Sequence, residues 1–246
     1  MTPPTFDRYL QNFDLEIERF AAISPERLED RLPHLSEWTV RSAVTHTARI
    51  LRFVDLALQS DAESPPEKSD VPVAPEDETI LAWLVDAASN ITDTLRTVDG
   101  DSVRWTWTGP QPASWYARRL SHEVSMHRWD AQAAWIAPEP ISGDIAVDGI
   151  DELLEVYAPR RLSFEELAGN GETVHLHATD EETGEWFLEY QPASIKWERS
   201  HTKGDVAARG SASDLLLMMW GRIPPTQLDV FGDISLLERW QSAASF

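Results

Sequence analysis

The chain has 246 residues, a formal net charge of −21 and no cysteine. An acidic balance of that size argues against a nucleic-acid or anionic-membrane partner, since both need basic clusters to neutralise phosphate. The lack of cysteine excludes disulfides, thiolate metal ligands and a cysteine nucleophile, so any thiol chemistry needs a thiol from outside the chain.

Phe6, Tyr9, Leu10, Phe13, Ile17 and Phe20 recur at helical spacing and predict a helix from about residue 5. Ser24 and Pro25 read as an N-cap and first helical position, so a helical restart is expected over SPERLEDRL, 24–32, before a break at PHLSEW. Residues 39–59 form a second helix whose apolar face runs through Val40, Val44, Leu51 and Leu58. The Pro-, Ser- and acid-rich stretch 60–77 reads as a long surface loop. Ile80, Leu84, Ala87, Ile91 and Leu95 mark a third helix over 78–98. RWTWTGPQPAS is irregular, and a fourth helix runs from about 113 to 136. Four long helices of this kind predict an antiparallel bundle.

Pro138 and Pro140 mark a boundary, which gives domains 1–138 and 139–246. Helical spacing resumes over 144–160. The period then changes to two, and strands are expected at 173–179, 185–191, 194–200 and 204–210. Capped apolar runs predict helices over 211–222 and from DISLLERWQSAA to the end. The fold class is thus a four-helix bundle followed by a smaller α+β domain, its sheet expected to be antiparallel with helices on one face. No run of 18 uncharged apolar residues occurs, and the first twenty residues lack a signal-peptide core. A cytoplasmic protein, monomer or homodimer, with neither nucleic acid nor membrane as partner, is the expectation.

The stretch SHEVSMHRWD, 121–130, invites a comparison with the zinc-protease pattern H-E-x-x-H, but its second histidine comes one residue late. On a helix, His122 and His127 lie about 140° apart and cannot share one ion. Glu123 and His127, four apart, do share a face. A third donor must come from elsewhere, and the choices are His34, His46, His175, His177 and His201. Only His46 sits inside a bundle helix, on the same face as Ala43, Ile50 and Phe53. His46, Glu123 and His127 then make a two-histidine, one-carboxylate set with room for a further ligand, the pattern of catalytic zinc, which also suits Ni2+ or Fe2+. The same residues also read as a core histidine and an ordinary helix-face pair.

EWTVRSAVTHTARI, 37–50, resembles the W-T-V-R-x-x-x-x-H segment of the mycothiol-dependent maleylpyruvate isomerase family, which belongs to the DinB-like metal-binding bundles. RRLSHEVSMHRWDAQAA resembles that family's E-x-x-x-H-R-x-D helix, and GDVAARGSASDLLLMMWGR is similar to its C-terminal domain. The resemblance runs over roughly 5–240. It implies a divalent cation, usually zinc, at His46, Glu123 and His127. It also implies mycothiol or a similar small thiol as co-substrate, bound at the open position as a metal-bound thiolate that attacks a small electrophilic substrate. The implied activity is that of an isomerase or S-transferase. Glu37 and Thr47 depart from the family pattern, in which a small residue and Leu are common, and neither is a ligand.

Asp130, three residues beyond His127, could orient that histidine, or form a helix-surface ion pair with Arg119 or Arg128. The family pattern places an arginine at Arg222, facing an interdomain cleft, where its planar fork would hold a substrate carboxylate; a cation at a helix C-terminus is the other reading. His122 is read as structural. His175 and His177, two apart on one strand, could chelate a cation but show no third ligand, so they read as ordinary sheet positions. A non-catalytic metal- or lipid-binding module and a metal-dependent hydrolase stand as alternatives to the thiol enzyme.

Overall fold

The computed structural model describes residues 3–35, 37–60 and 64–244. The chain divides into two compact units, one of Pro4–Glu139 and one built on Pro140–Phe246.

The first unit holds α1 (Phe6–Ala21), α2 (Val40–Gln59), α3 (Thr79–Thr97), a short ribbon of β1 (Val103–Arg104) with β2 (Gln111–Pro112), and α4 (Trp115–Gln132). Thr5 caps α1 by accepting from Arg8 N, and Thr39 caps α2 in a reciprocal box with Ser42. Side-chain contacts fix the helix directions. Tyr9, Asn12 and Glu16 meet His122, Ser121 with Ser125, and Arg128, so α1 and α4 run parallel. Arg41, Arg52 and Asp55 meet Asp77, Asp86 and Thr94, so α2 and α3 also run parallel. His46, early in α2, meets the middle of α4, while Phe53 packs on Trp105, whose carbonyl is held by Tyr116 at the start of α4. Those two helices are antiparallel.

The bundle is therefore up-down-down-up, which corrects the simple antiparallel order expected from the helix pattern. The cause is the long 60–78 connection. A helix of α2's length spans about 30 Å, and an extended connection of that size reaches back along it. Residues 61–63 of that loop lie outside the described residues. The ribbon β1–β2 occupies the stretch expected to be irregular.

A second correction concerns 24–32. Only Pro25–Arg27 is helical, as a single 3₁₀ turn, and Ser24 makes no side-chain cap. The backbone there pairs across the loop instead: Leu32 N donates to Trp38 O, Val40 N to Asp30 O and Arg41 N to Leu28 O. Pro33 adds to this, since a residue before proline is pushed out of the helical region. Leu28 and Leu32 become core residues, and Trp38 is fixed just ahead of α2.

α4 is the central helix, buried on nearly every side although much of it is polar. Asn12 donates to Ser121 Oγ and Ser125 Oγ, each at 3.0 Å. Arg128 pairs with Glu16, both fully buried, and donates to Gln132 Oε1 at 3.0 Å. These partners let a polar helix occupy a core position without stranded charges.

In the second unit, α5 (Gly143–Glu152) leads through a π turn at Leu153–Tyr157 into α6 (Ala158–Arg161), followed by α7 (Phe164–Leu167). The helix expected over 144–160 is thus widened in its middle. Pro159 explains the widening: it has no N–H to offer and its ring would strike the carbonyl of Glu155 in a regular helix. The strands are β3 (Thr173–Ala178), β4 (Glu185–Gln191), β5 (Ser194–Glu198) and β6 (Val206–Gly210); then come α8 (Ala212–Met219), β7 (Asp229–Gly232) and α9 (Ser235–Ala243). The sheet order is β5-β4-β3-β6-β7.

Neighbouring strands are antiparallel except β3 and β6, which pair in parallel, so the sheet is mixed and not the antiparallel one expected. The β5–β6 connection, residues 199–205, must pass β4 and β3 to put β6 beside β3, and that sets the parallel pairing. β7 was not among the expected strands. Val174, Leu176, Trp186, Leu188, Val206 and Ala208 line the buried face, on which α8 packs. His175 and His177 alternate onto the other face. Among the described residues no helix is long and apolar enough to cross a membrane.

Candidate metal centre

α2 and α4 pack together, and their contact brings His46, Glu123 and His127 into one cluster. One donor atom from each lies within 4.8 Å of the others. Glu123 Oε1 sits between the imidazoles, 3.0 Å from His46 Nε2 and 3.3 Å from His127 Nε2. The two rings stand edge to face, with centroids 4.9 Å apart. The four-residue spacing of Glu123 and His127 puts them on one face of α4, and the early position of His46 in antiparallel α2 sets its height.

Three neighbours condition this set. Arg119, one turn before Glu123, pairs with Glu123 Oε2 and leaves Oε1 to the histidines. Burial alone would raise the Glu123 carboxyl, but the Arg119 charge and hydrogen bonds with His127 and His46 outweigh it and hold the group well below the usual range. Asp130, itself buried, places Oδ2 3.3 Å from His127 Nδ1. Burial pushes His127 down, but the Asp130 and Glu123 carboxylates beside it prevail and take it up to about 9. Trp38 stacks on His127 at 5.6 Å with ring planes 15° apart, and lies 5.0 Å from His46.

The other residues fall elsewhere. His34 packs on Trp129 and His122 on Tyr9. Arg119 pairs with Glu123 and Arg128 with Glu16, and both arginines, like Asp130, are buried and not on the helix surface. Arg222 is buried beyond the end of α8, after Gly221 in a left-handed turn at φ 71°, and its Nη1 donates to Trp220 O at 2.9 Å. His175 and His177 lie on β3, and Glu185 and His201 come within reach of them to form a second cluster.

The pairing of Arg119 with Glu123 and the stacking of Trp38 on His127 are not among the expectations from sequence. Arg119 was legible in principle, since it precedes Glu123 by four on the same helix. Trp38 was not, because its place depends on the 28–32 pairing with 38–41.

A donor set of two imidazole nitrogens and one carboxylate oxygen, already converged, fits a divalent cation of the zinc class. Two family models match the sequence: the mycothiol maleylpyruvate isomerase N-terminal domain over residues 16–132, and the MDMPI C-terminal domain over residues 144–239. Among solved structures, a histidine-to-alanine mutant of a mycothiol-dependent maleylpyruvate isomerase is similar at 16% identity and a TM-score of 0.66, with 94% of this chain and 95% of that chain covered. A crystal structure of the mycothiol-dependent maleylpyruvate isomerase itself gives 16% and 0.63, with 91% and 93% covered. At such identity the likeness of structures is one of fold. No curated protein matches significantly. With both domain models matched in order along the sequence, the chain belongs to the mycothiol-dependent maleylpyruvate isomerase family.

Proposed function

We propose that this protein is a thiol-dependent isomerase or S-transferase for a small electrophile, with His46, Glu123 and His127 as the protein ligands of a divalent cation. The observation that carries the reading is the convergence of these three donors within 4.8 Å in a chain that has no cysteine of its own. Zn2+ is the preferred ion, and Ni2+ or Fe2+ suits the same donors. A cation held there supplies a Lewis acid with an open position, which lowers the pKa of a thiol brought to it.

The chain's own residues do the rest. Arg119 fixes the Glu123 carboxylate so that Oε1 faces both imidazoles. Asp130 favours a proton on His127 Nδ1 and turns Nε2 toward the donor cluster. Trp38 covers one face of His127 and limits water there. Arg222 is the group assigned to a substrate carboxylate, for which its planar fork is suited.

The similar solved structures are of a mycothiol-dependent maleylpyruvate isomerase, so mycothiol and cis-configured unsaturated acids are the first thiol and substrate to test here. In such an isomerisation the sulfur adds to one alkene carbon and a proton to the other. Rotation about the new single bond and loss of the same thiol then leave the trans alkene, with nothing consumed.

The test is turnover of maleylpyruvate by the Zn2+-loaded protein, with and without mycothiol. We expect thiol-dependent isomerisation that is lost in His46→Ala and Glu123→Gln, together with one equivalent of bound Zn2+. Hydrolysis of activated esters without thiol would replace this reading with that of a hydrolase. A triple His46→Ala/Glu123→Ala/His127→Ala variant with unchanged metal content would refute the site.

A further inference from the structure

The outer face of the β-sheet carries a second convergence of metal-ligating groups. His175 and His177 point to the face opposite Val174 and Leu176, by strand alternation. The hairpin register sets Glu185 of β4 directly across from His177. The β5–β6 crossover then lays His201 against the same carboxylate. His175 Nε2 is 3.1 Å from Glu185 Oε2 and His177 Nδ1 is 2.9 Å from Oε1, while His201 Nδ1 also contacts Oε2. The three imidazole centroids lie 5.2–6.0 Å apart, with steep mutual angles of 69–90°. One donor atom from each of the four residues falls within 4.8 Å of the rest.

We propose that His175, His177, Glu185 and His201 form a second divalent-metal site of three imidazoles and one carboxylate, which ties the β5–β6 crossover to the sheet. Four protein donors with no position left over is the composition of a closed, structural site. Imidazole-rich sets with one carboxylate suit Zn2+ and also Cu2+ or Ni2+. Two donors of a tetrahedral ion stand about 3.4 Å apart at bond lengths of roughly 2.0–2.1 Å, so donors that lie within 4.8 Å of one another draw together to close on one. His175 is 8% exposed and supplies the fixed side of the site. His201 is largely exposed on the crossover, and coordination would anchor it.

The placement of the crossover does not depend on the ion. Thr173 N donates to Asp205 Oδ2 at 2.8 Å, and Gly204 lies so close to β3 that a Cβ there would stand 3.0 Å from His175 N. The chain therefore delivers His201 to the cluster by its own pairing, and the site is built before any ion arrives.

The experiment uses the full chain carrying His46→Ala/His127→Ala, so that only the second site is read. Equilibrium dialysis against Zn2+ should find one equivalent bound. Adding His201→Ala, an exposed change that leaves the fold intact, should weaken that binding at least roughly tenfold, since losing even a group that merely orients a ligand costs about that much. His177→Ala should do the same. Co2+ in place of Zn2+ should give the intense visible bands of a four-coordinate ion. The proposal is overturned if the His46→Ala/His127→Ala protein binds no Zn2+, or if His201→Ala and His177→Ala leave its affinity unchanged. Because two of the three bundle ligands are absent throughout, neither result bears on the thiol chemistry.

Discussion

Arg128 and Glu16 are sealed from solvent, and each is the other's main means of carrying a charge there. Removing Glu16 leaves the Arg128 guanidinium buried and without its carboxylate, which costs more than the pair itself contributes. Glu16→Ala is expected to destabilise the bundle by about 3–5 kcal/mol, whereas Glu16→Leu with Arg128→Met should recover most of that loss. Urea unfolding of the single and double variants checks both. The same helix shows what was legible at this scale. His46, Glu123 and His127 could be grouped from sequence because helical spacing fixes which side chains share a face. Glu185 and His201 could not, because one depends on the register of a hairpin and the other on the course of a crossover.

Elements were read correctly where one period persisted, as in α2 and α3, and missed where tertiary pairing overrode local pattern. SPERLEDRL has the start signals of a helix, yet its backbone bonds to residues 38–41. β3 and β6 alternate like antiparallel strands, yet the direction of pairing is decided by the connection between them. That connection offers a sharp test. Gly204→Ala would set a Cβ 2.8 Å from Val206 O and 3.0 Å from Thr173 O, both backbone atoms that cannot step aside. A loss of about 1–3 kcal/mol is expected in chemical unfolding.

The α7–α9 contact gives a pH test. The backbone N–H of Asn170, followed by the Arg239 side chain, holds Glu172 down to about 2. Its folded pKa lies below the unfolded one, so its contribution is complete above about 4.5 and fades as pH falls toward about 2. Glu172→Gln should therefore lower the melting temperature at pH 7 and have a much smaller effect at pH 2.5. An equal effect at both values would contradict this.

For the whole molecule, a net charge of −21 makes self-repulsion a standing cost. Salt screens it over about 10 Å at 0.1 M. Adding NaCl to a low-salt sample should raise the melting temperature, by roughly 2–4 °C for each kcal/mol of repulsion relieved. A fall would mean that surface ion pairs such as Arg41–Glu29 outweigh the net field. The parallel packing of α1 on α4 has its own consequence for how the protein is made. Asn12 and Ser121 are 109 positions apart. As the nascent chain leaves the ribosome, its opening helix must wait, with its polar seam unmatched, until more than a hundred further residues have been translated.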